Sequence, residues 1–241
     1  IFSRSKLLRS ELRKACASAA AVTGVSTLVT DNLEQKFGAR AALVVPNGVQ
    51  AESPRPGMPS PRQDGKVAIA VGRLVRVKGF DLLLRALPLS RETTQLRIVG
   101  DGPERAQLEE LAQELGVADQ VSFLGQQTPA EVQQAMRDAD VVVVPSRREA
   151  FGIVALEAWV NGTPLVATSL SGPAGFVTDG VDGLLADPED STALADALDR
   201  VLSSPSLAAD LAAHGSESVK QFTWDRVVDD YEDIYRTATA S

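Results

Sequence analysis

The 241-residue chain is poor in the residues that build covalent or metal-held structure. It has one cysteine, Cys16, and one histidine, His214. A single cysteine excludes an intrachain disulfide and suits a reducing compartment. One histidine and one cysteine cannot build a Cys/His zinc site. Aromatic residues are only 5% of the chain. No apolar run approaches the roughly 18 residues that a membrane-spanning helix needs. The longest, such as Val141–Pro145, have the length of strands. Basic charge is short as well: 24 Lys+Arg face 32 Asp+Glu, a formal net charge of −8. That balance argues against a general nucleic-acid binder, which presents a basic face. The chain opens on Ile1 rather than Met, with nothing that resembles a cleaved signal, so a fragment is expected.

What is present is globular composition, with 44% hydrophobic and 23% charged residues. The length fits one large domain, or one domain with part of another. Charge is unevenly placed. Residues 1–50 carry seven Lys/Arg against three acids, a net of +4, and residues 186–241 carry four against twelve, a net of −8. The basic start is compatible with phosphate or an anionic membrane surface. The favoured reading of it is a solvated helix face, as it is of the acidic tail.

The elements alternate. After a basic helix, Ala21–Ser26 reads as a strand, Thr27–Phe37 as a helix and Ala42–Pro46 as a strand. Ser53–Gly65 holds four prolines and two glycines in thirteen residues and reads as a linker or long surface loop. Strands are then expected at Lys66–Gly72, Leu96–Gly100, Val121–Gly125, Val141–Pro145, Pro164–Thr168 and, short, at Leu184–Ala186. Helices are expected at Phe80–Leu87, from Pro103 to Leu115 with Gly116 ending it, from the capping-box residue Thr128 to Ala139, and at Phe151–Asn161. Asp190–Ser203, Ser206–Gln221 and Trp224–Thr237 read as closing helices. Most of these strands are continuous apolar runs, the mark of a parallel sheet covered by helices on both faces. The expected fold class is therefore α/β, a Rossmann-like doubly wound parallel sheet. Such sheets bind ligands at the carboxyl ends of their strands.

Two loops there carry chemistry. Gly72-Arg73-Leu74-Val75-Arg76-Val77-Lys78-Gly79 follows the first strand of the main run. Gly72 lets a ligand approach the backbone. Arg73 and Lys78, beside the amides of a helix start, suit a diphosphate, although either cation alone is ordinary surface charge. In the second loop Glu149 precedes Glu157 by eight positions. Were the whole segment helical, the two would stand about 12 Å apart on roughly one side. The amides of Phe151, Gly152, Ile153 and Val154 open that helix and favour an anion. Glu157 lies among apolar neighbours and needs a partner.

This pairing resembles the E-x7-E motif of retaining GT-B glycosyltransferases of family 4 (glycosyl transferases group 1). Six further segments resemble that family in order. They are Val45-Pro46-Asn47-Gly48-Val49, Val71-Gly72-Arg73-Leu74 with Lys78-Gly79, Val99-Gly100-Asp101-Gly102-Pro103, Val121-Ser122-Phe123-Leu124-Gly125, Asn161-Gly162-Thr163-Pro164-Leu165-Val166-Ala167, and Asp179-Gly180-Val181-Asp182-Gly183-Leu184-Leu185. The resemblance implies a donor-binding domain over 47–221. It also implies a remnant of a second, acceptor-binding Rossmann-like domain over 1–46, and a final helix, 222–241, crossing back toward that domain.

The resemblance further implies a glycosyltransferase that takes sugar from a UDP- or GDP-linked donor with retention at the anomeric carbon and needs no metal. Arg73 and Lys78 would bind the diphosphate and stabilise its growing charge. Glu149 would stand near the reacting carbon and Glu157 at the ribose. The amides of Phe151, Gly152, Ile153 and Val154 would contact sugar and phosphate. The base would lie near Gly100 and the Gly125–Gln127 turn. The acceptor is open among glycan, lipid and small molecule. A cytoplasmic place is expected, with peripheral contact at the inner membrane face left open. One departure stands out: Gly175 occupies the place of a glutamate in the family's G-x-x-E loop, which bears on donor selection. Two weaker patterns compete. Asp138-Ala139-Asp140 has the form of a metal-binding D-x-D but falls between a helix and an apolar strand. Gly100-x-Gly102 suggests a nicotinamide site, but Arg105 stands where a third small residue belongs. A binding module without transfer activity and a sugar-nucleotide epimerase remain alternatives.

Overall fold

A computed structural model of the chain describes residues 6–50, 65–92, 94–170 and 172–239. Most of the Pro-rich segment expected as a linker lies outside these. In chain order the elements are α1 (Lys6–Ser18), β1 (Thr23–Gly24), α2 (Thr27–Phe37), β2 (Leu43–Val44), β3 (Lys66–Val71), α3 (Phe80–Ala86), β4 (Thr94–Val99), α4 (Arg105–Glu114), β5 (Val121–Gly125), α5 (Pro129–Arg137), β6 (Val141–Val144), α6 (Ile153–Val160), β7 (Leu165–Thr168), β8 (Leu184–Ala186), α7 (Ser191–Ser203), α8 (Pro205–Ser218) and α9 (Trp224–Thr239). Two compact units emerge: Ile1–Gly48 with Phe222–Ser241, and Val49–Gln221. The smaller contains a two-stranded parallel sheet, β1 beside β2.

The larger unit is built on a six-stranded parallel sheet in the order β5-β4-β3-β6-β7-β8, flanked by helices. The strands β6 (VVVV) and β7 (LVAT) are buried throughout, as continuous apolar runs require inside a two-sided sheet. The edge strand β5 instead alternates between half-buried and exposed. One face packs Ala68, Ala70, Leu96, Ile98, Val141 and Val143 against Leu83 and Leu84 of α3, Leu108 of α4 and Leu198 of α7. The strand order reverses direction between β3 and β6. Their carboxyl ends lie side by side there, and at such a switch point sheets of this class form the crevice that holds ligands.

Local signals explain most helix limits. Thr128 and Glu131 form a reciprocal capping box at the start of α5. The Asp190 carboxylate caps α7 by accepting from the Thr192 and Ala193 N–H groups. Several helix ends fall one to three residues from expectation, and two helix starts fall two residues late. The helix α4 starts at Arg105, because Asp101–Glu104 is spent knitting the loop to Leu74: Leu74 N–H donates to Asp101 O and Glu104 N–H to Leu74 O. The helix α6 starts at Ile153, because Gly152, at φ 96°, turns the chain left-handed just before it.

Candidate active site

The floor of the crevice is backbone. Gly72 N–H donates to Val99 O and Gly100 N–H to Gly125 O, so the loops after β3, β4 and β5 form one layer. Gly100 stands at φ 127°, and a Cβ there would lie 2.0 Å from Gly72 O. Only glycine lets these two loops approach so closely. Gln127 lies in the turn after β5, exposed, its side-chain amide donating to Leu124 O at 2.8 Å. Arg105, which breaks the nicotinamide pattern, pairs with Glu109, donates to Phe123 O and lies over the Phe123 ring.

Across the crevice the loops after β3 and β6 meet. Lys78 ends a single 3-10 turn, Arg76–Lys78, and its ammonium donates to the Glu149 carboxylate at 2.5 Å. The pair is about three-quarters or more removed from water, with side chains 27% and 15% exposed. Sequence separation hides this meeting, since the two stand 71 positions apart. Arg73 is exposed, and among the described residues no hydrogen bond or ion pair engages its guanidinium. Glu149 belongs to the loop before α6 rather than to the helix, so the straight-helix span to Glu157 does not apply. The Gly172–Gly175 turn lies on its stem: a Cβ on Gly172 would come within 2.8 Å of Glu149 Cγ, and one on Gly152 within 2.7 Å of Pro173. Gly175, at the expected glutamate position, ends this turn.

The start of α6 completes the crevice. Ile153 and Val154 open the helix, and their N–H groups have no acceptor within it. Phe151 offers only its backbone, because its ring is buried against Phe176, which in turn meets Trp159 edge-on. One turn in, Glu157 stands half-buried, its carboxyl pushed above the ordinary glutamate value by burial. Among the described residues it has no hydrogen-bonding or ionic partner for that carboxylate. A desolvated acceptor facing no donor is costly without a ligand.

One feature of the site has no signal in the sequence. Arg147 Nη1 and Nη2 donate to the two oxygens of Asp81 at 2.6 and 2.8 Å, a paired geometry across 66 residues. Burial pushes the Asp81 carboxyl up, but the hydrogen bonds and charge of Arg147 outweigh it and leave it lowered. No local pattern announces a pair so far apart in sequence.

The other candidates have structural work. The Asp140 carboxylate accepts from Val67 N–H at 2.8 Å, tying α5's exit to β3. Among the described residues no group of three or more His, Cys, Asp or Glu is gathered as metal ligands. His214 is exposed on α8, hydrogen-bonded to Asp210 O of its own helix. Among the described residues no helix is long and apolar enough to cross a membrane.

Residues 58–218 match the family model described as glycosyl transferases group 1. The chain belongs to that family. A D-inositol 3-phosphate glycosyltransferase of Acidothermus cellulolyticus is 36% identical across 95% of this group 1 chain and 57% of its own length. The lipopolysaccharide core biosynthesis glycosyltransferase LpsD of Rhizobium meliloti is 39% identical across 73% of this chain and 51% of its own. The chain thus spans about half the length of these curated relatives. Among solved structures, sucrose-phosphate synthase from Thermosynechococcus elongatus superposes with a TM-score of 0.86 at 30% identity, covering 98% of this chain and 63% of that one. Anabaena Alr3699/HepE, in complex with UDP and glucose, superposes with a TM-score of 0.81 at 26% identity, covering 97% and 68%. The group 1 chain therefore has the GT-B glycosyltransferase fold.

Proposed function

We propose that the larger unit is the donor half of a retaining glycosyltransferase site that holds a UDP- or GDP-linked sugar. The observation that carries this reading is the switch-point crevice, with Arg73, Lys78, Glu149, the opening amides of α6 and Glu157 around it. Among the described residues Arg73 is uncommitted, and Lys78 is held by Glu149 within reach of the same space. The diphosphate lies against both cations and the α6 amides. The ribose hydroxyls donate to Glu157, the partner its burial calls for. The base rests on the Gly100 and Gly125–Gln127 backbone. The UDP held by the Anabaena relative supports this choice of ligand class.

In the reaction the bond from the anomeric carbon to the diphosphate oxygen breaks and its electron pair leaves with the phosphate. Negative charge grows beside Arg73, Lys78 and the helix start, and Lys78, largely removed from water, is worth more there than in bulk. Glu149 faces the positively charged sugar carbon, which bonds to the acceptor's hydroxyl oxygen on the face that the diphosphate leaves, so configuration is retained, while the departing phosphate oxygen takes the hydroxyl proton. This cationic cradle does the work without a metal. The smaller unit is read as part of the acceptor side, whose substrate is a glycan, a lipid or a small molecule, and the setting as cytoplasmic.

Calorimetry with nucleoside diphosphates and monophosphates tests the reading. The wild-type chain is expected to bind UDP or GDP more tightly than the matching monophosphate. Arg73→Ala should lose about tenfold or more of the diphosphate affinity, the worth of one charge-assisted contact. EDTA should leave the affinity unchanged. Equal affinities for both phosphates, or no loss in the variant, contradict it.

A further inference from the structure

The turn that carries Lys78 is too short to hold itself. It has three residues, no side-chain cap, and internal hydrogen bonds only from Lys78 N–H to Val75 O and Gly79 N–H to Arg76 O. Its remaining support comes from the loop after β6. Arg147 Nη1 donates to Arg76 O at 3.1 Å, and Arg148 N–H donates to Val77 O at 3.2 Å. Gly79 is pressed so near that loop that a Cβ would lie 2.0 Å from Pro145 O. Arg147 also grips Asp81, in the first turn of α3. It therefore brackets Lys78, at Arg76 where the turn begins and at Asp81 beyond it. Its Nε lies 3.8 Å from the Glu189 carboxylate, in the loop between β8 and α7. Glu149 follows two residues later on the same loop.

The charge of Arg147 is spent on Asp81, so the pair contributes geometry rather than a third cation for phosphate. Both side chains are largely buried, at 18% and 22% exposed, so water does little to loosen them. A planar guanidinium can reach two carboxylate oxygens and a carbonyl together, whereas an ammonium on a flexible stem cannot hold that fork. We propose that Arg147, held by Asp81, is a positioning residue that fixes the Lys78 turn and the Glu149 loop at one separation, so that Lys78 meets the terminal phosphate of the nucleotide. The inference rests on the donor-site reading above.

The test uses the full chain with Arg147→Lys and Asp81→Asn. UDP and UMP affinities, with GDP and GMP as the second pair, are measured by calorimetry well below each variant's melting midpoint, which is read by circular dichroism. Both variants are expected to lose about tenfold in diphosphate affinity and less than about twofold for the monophosphate, so that the preference for diphosphate shrinks. Arg147→Lys keeps the charge, so full binding by that variant means that Arg147 acts as a cation and overturns the inference. A lowered midpoint with unchanged affinities makes the pair merely structural and also overturns it. Should Arg147→Lys fail to fold, the near-isosteric Asp81→Asn decides the question by the same two affinities. Should wild type bind neither diphosphate, the donor-site reading falls and takes the inference with it. Intact binding in both variants removes the inference alone.

Discussion

A carboxylate in an apolar setting can be retained for what it meets rather than for what it stabilises. Glu157 stands between buried Leu156 and Ala158 on α6, and burial holds its carboxyl above the usual glutamate range. Its folded proton affinity thus exceeds its unfolded one. The stability it contributes is full below its unfolded pKa and is lost as pH rises through the folded value. Glu157→Gln does not titrate, so its advantage over wild type should widen from pH 4 to pH 7. At pH 7 thermal melts should show it about 2–4 °C more stable, while its UDP affinity falls because the amide cannot accept as strongly from ribose. Asp81 behaves oppositely. Burial raises its carboxyl, the Arg147 bonds outweigh that, and the net is a lowered value, so its contribution is present above the unfolded pKa and lost as pH falls through the folded one. Asp81→Asn should cost about 1–3 kcal/mol at pH 7 by denaturant titration, and progressively less below about pH 4. The places of Arg73, Lys78, Glu149 and Glu157 in the fold were legible in the sequence, because each sits just past a recognisable strand or on the helix that follows, and their roles in a donor site belong to the proposal above. The Arg147–Asp81 pair was not, since its meaning exists only once β3 and β6 lie side by side.

At the scale of elements, the apolar runs announced the buried strands, and the capping residues Thr128 and Asp190 marked their helices. The starts of α4 and α6 were less legible. Pro103 suits a first helical turn, but the loop's bonds to Leu74 compete for the same backbone. Phe151 likewise looks like part of an apolar helix, yet its ring is used to anchor the loop against Phe176. Packing also overrides propensity on α8. Alanine is the better helix former, but a Cβ on Gly215 would come within 2.2 Å of the buried Trp159 indole. That indole is fixed by its N–H bond to Asp182 O at 2.7 Å, so it cannot step aside freely. Gly215→Ala should therefore destabilise the chain by about 1–3 kcal/mol in denaturant titrations, against the gain that propensity alone predicts. A stabilised variant would mean that α8 shifts away from α6 at little cost.

At the scale of the molecule, one topological choice organises the site. The strand order β5-β4-β3-β6-β7-β8 places the ends of β3 and β6 side by side, and the two loops leaving them bring Lys78 to Glu149. The doubly wound class could be read from alternating elements and apolar runs. The division into two units cannot come from periodicity, and the segment expected as a linker lies almost wholly outside the described residues. The acid excess of the whole chain says little about this crevice, where the cations Arg73 and Lys78 gather beside a helix start. The most direct test is a crystal structure of the 241-residue chain with UDP, and in parallel with GDP. The diphosphate is expected between Arg73, Lys78 and the first amides of α6, with the ribose hydroxyls on Glu157. A nucleotide bound elsewhere, or in this crevice with its phosphates turned away from Arg73 and Lys78, would contradict it.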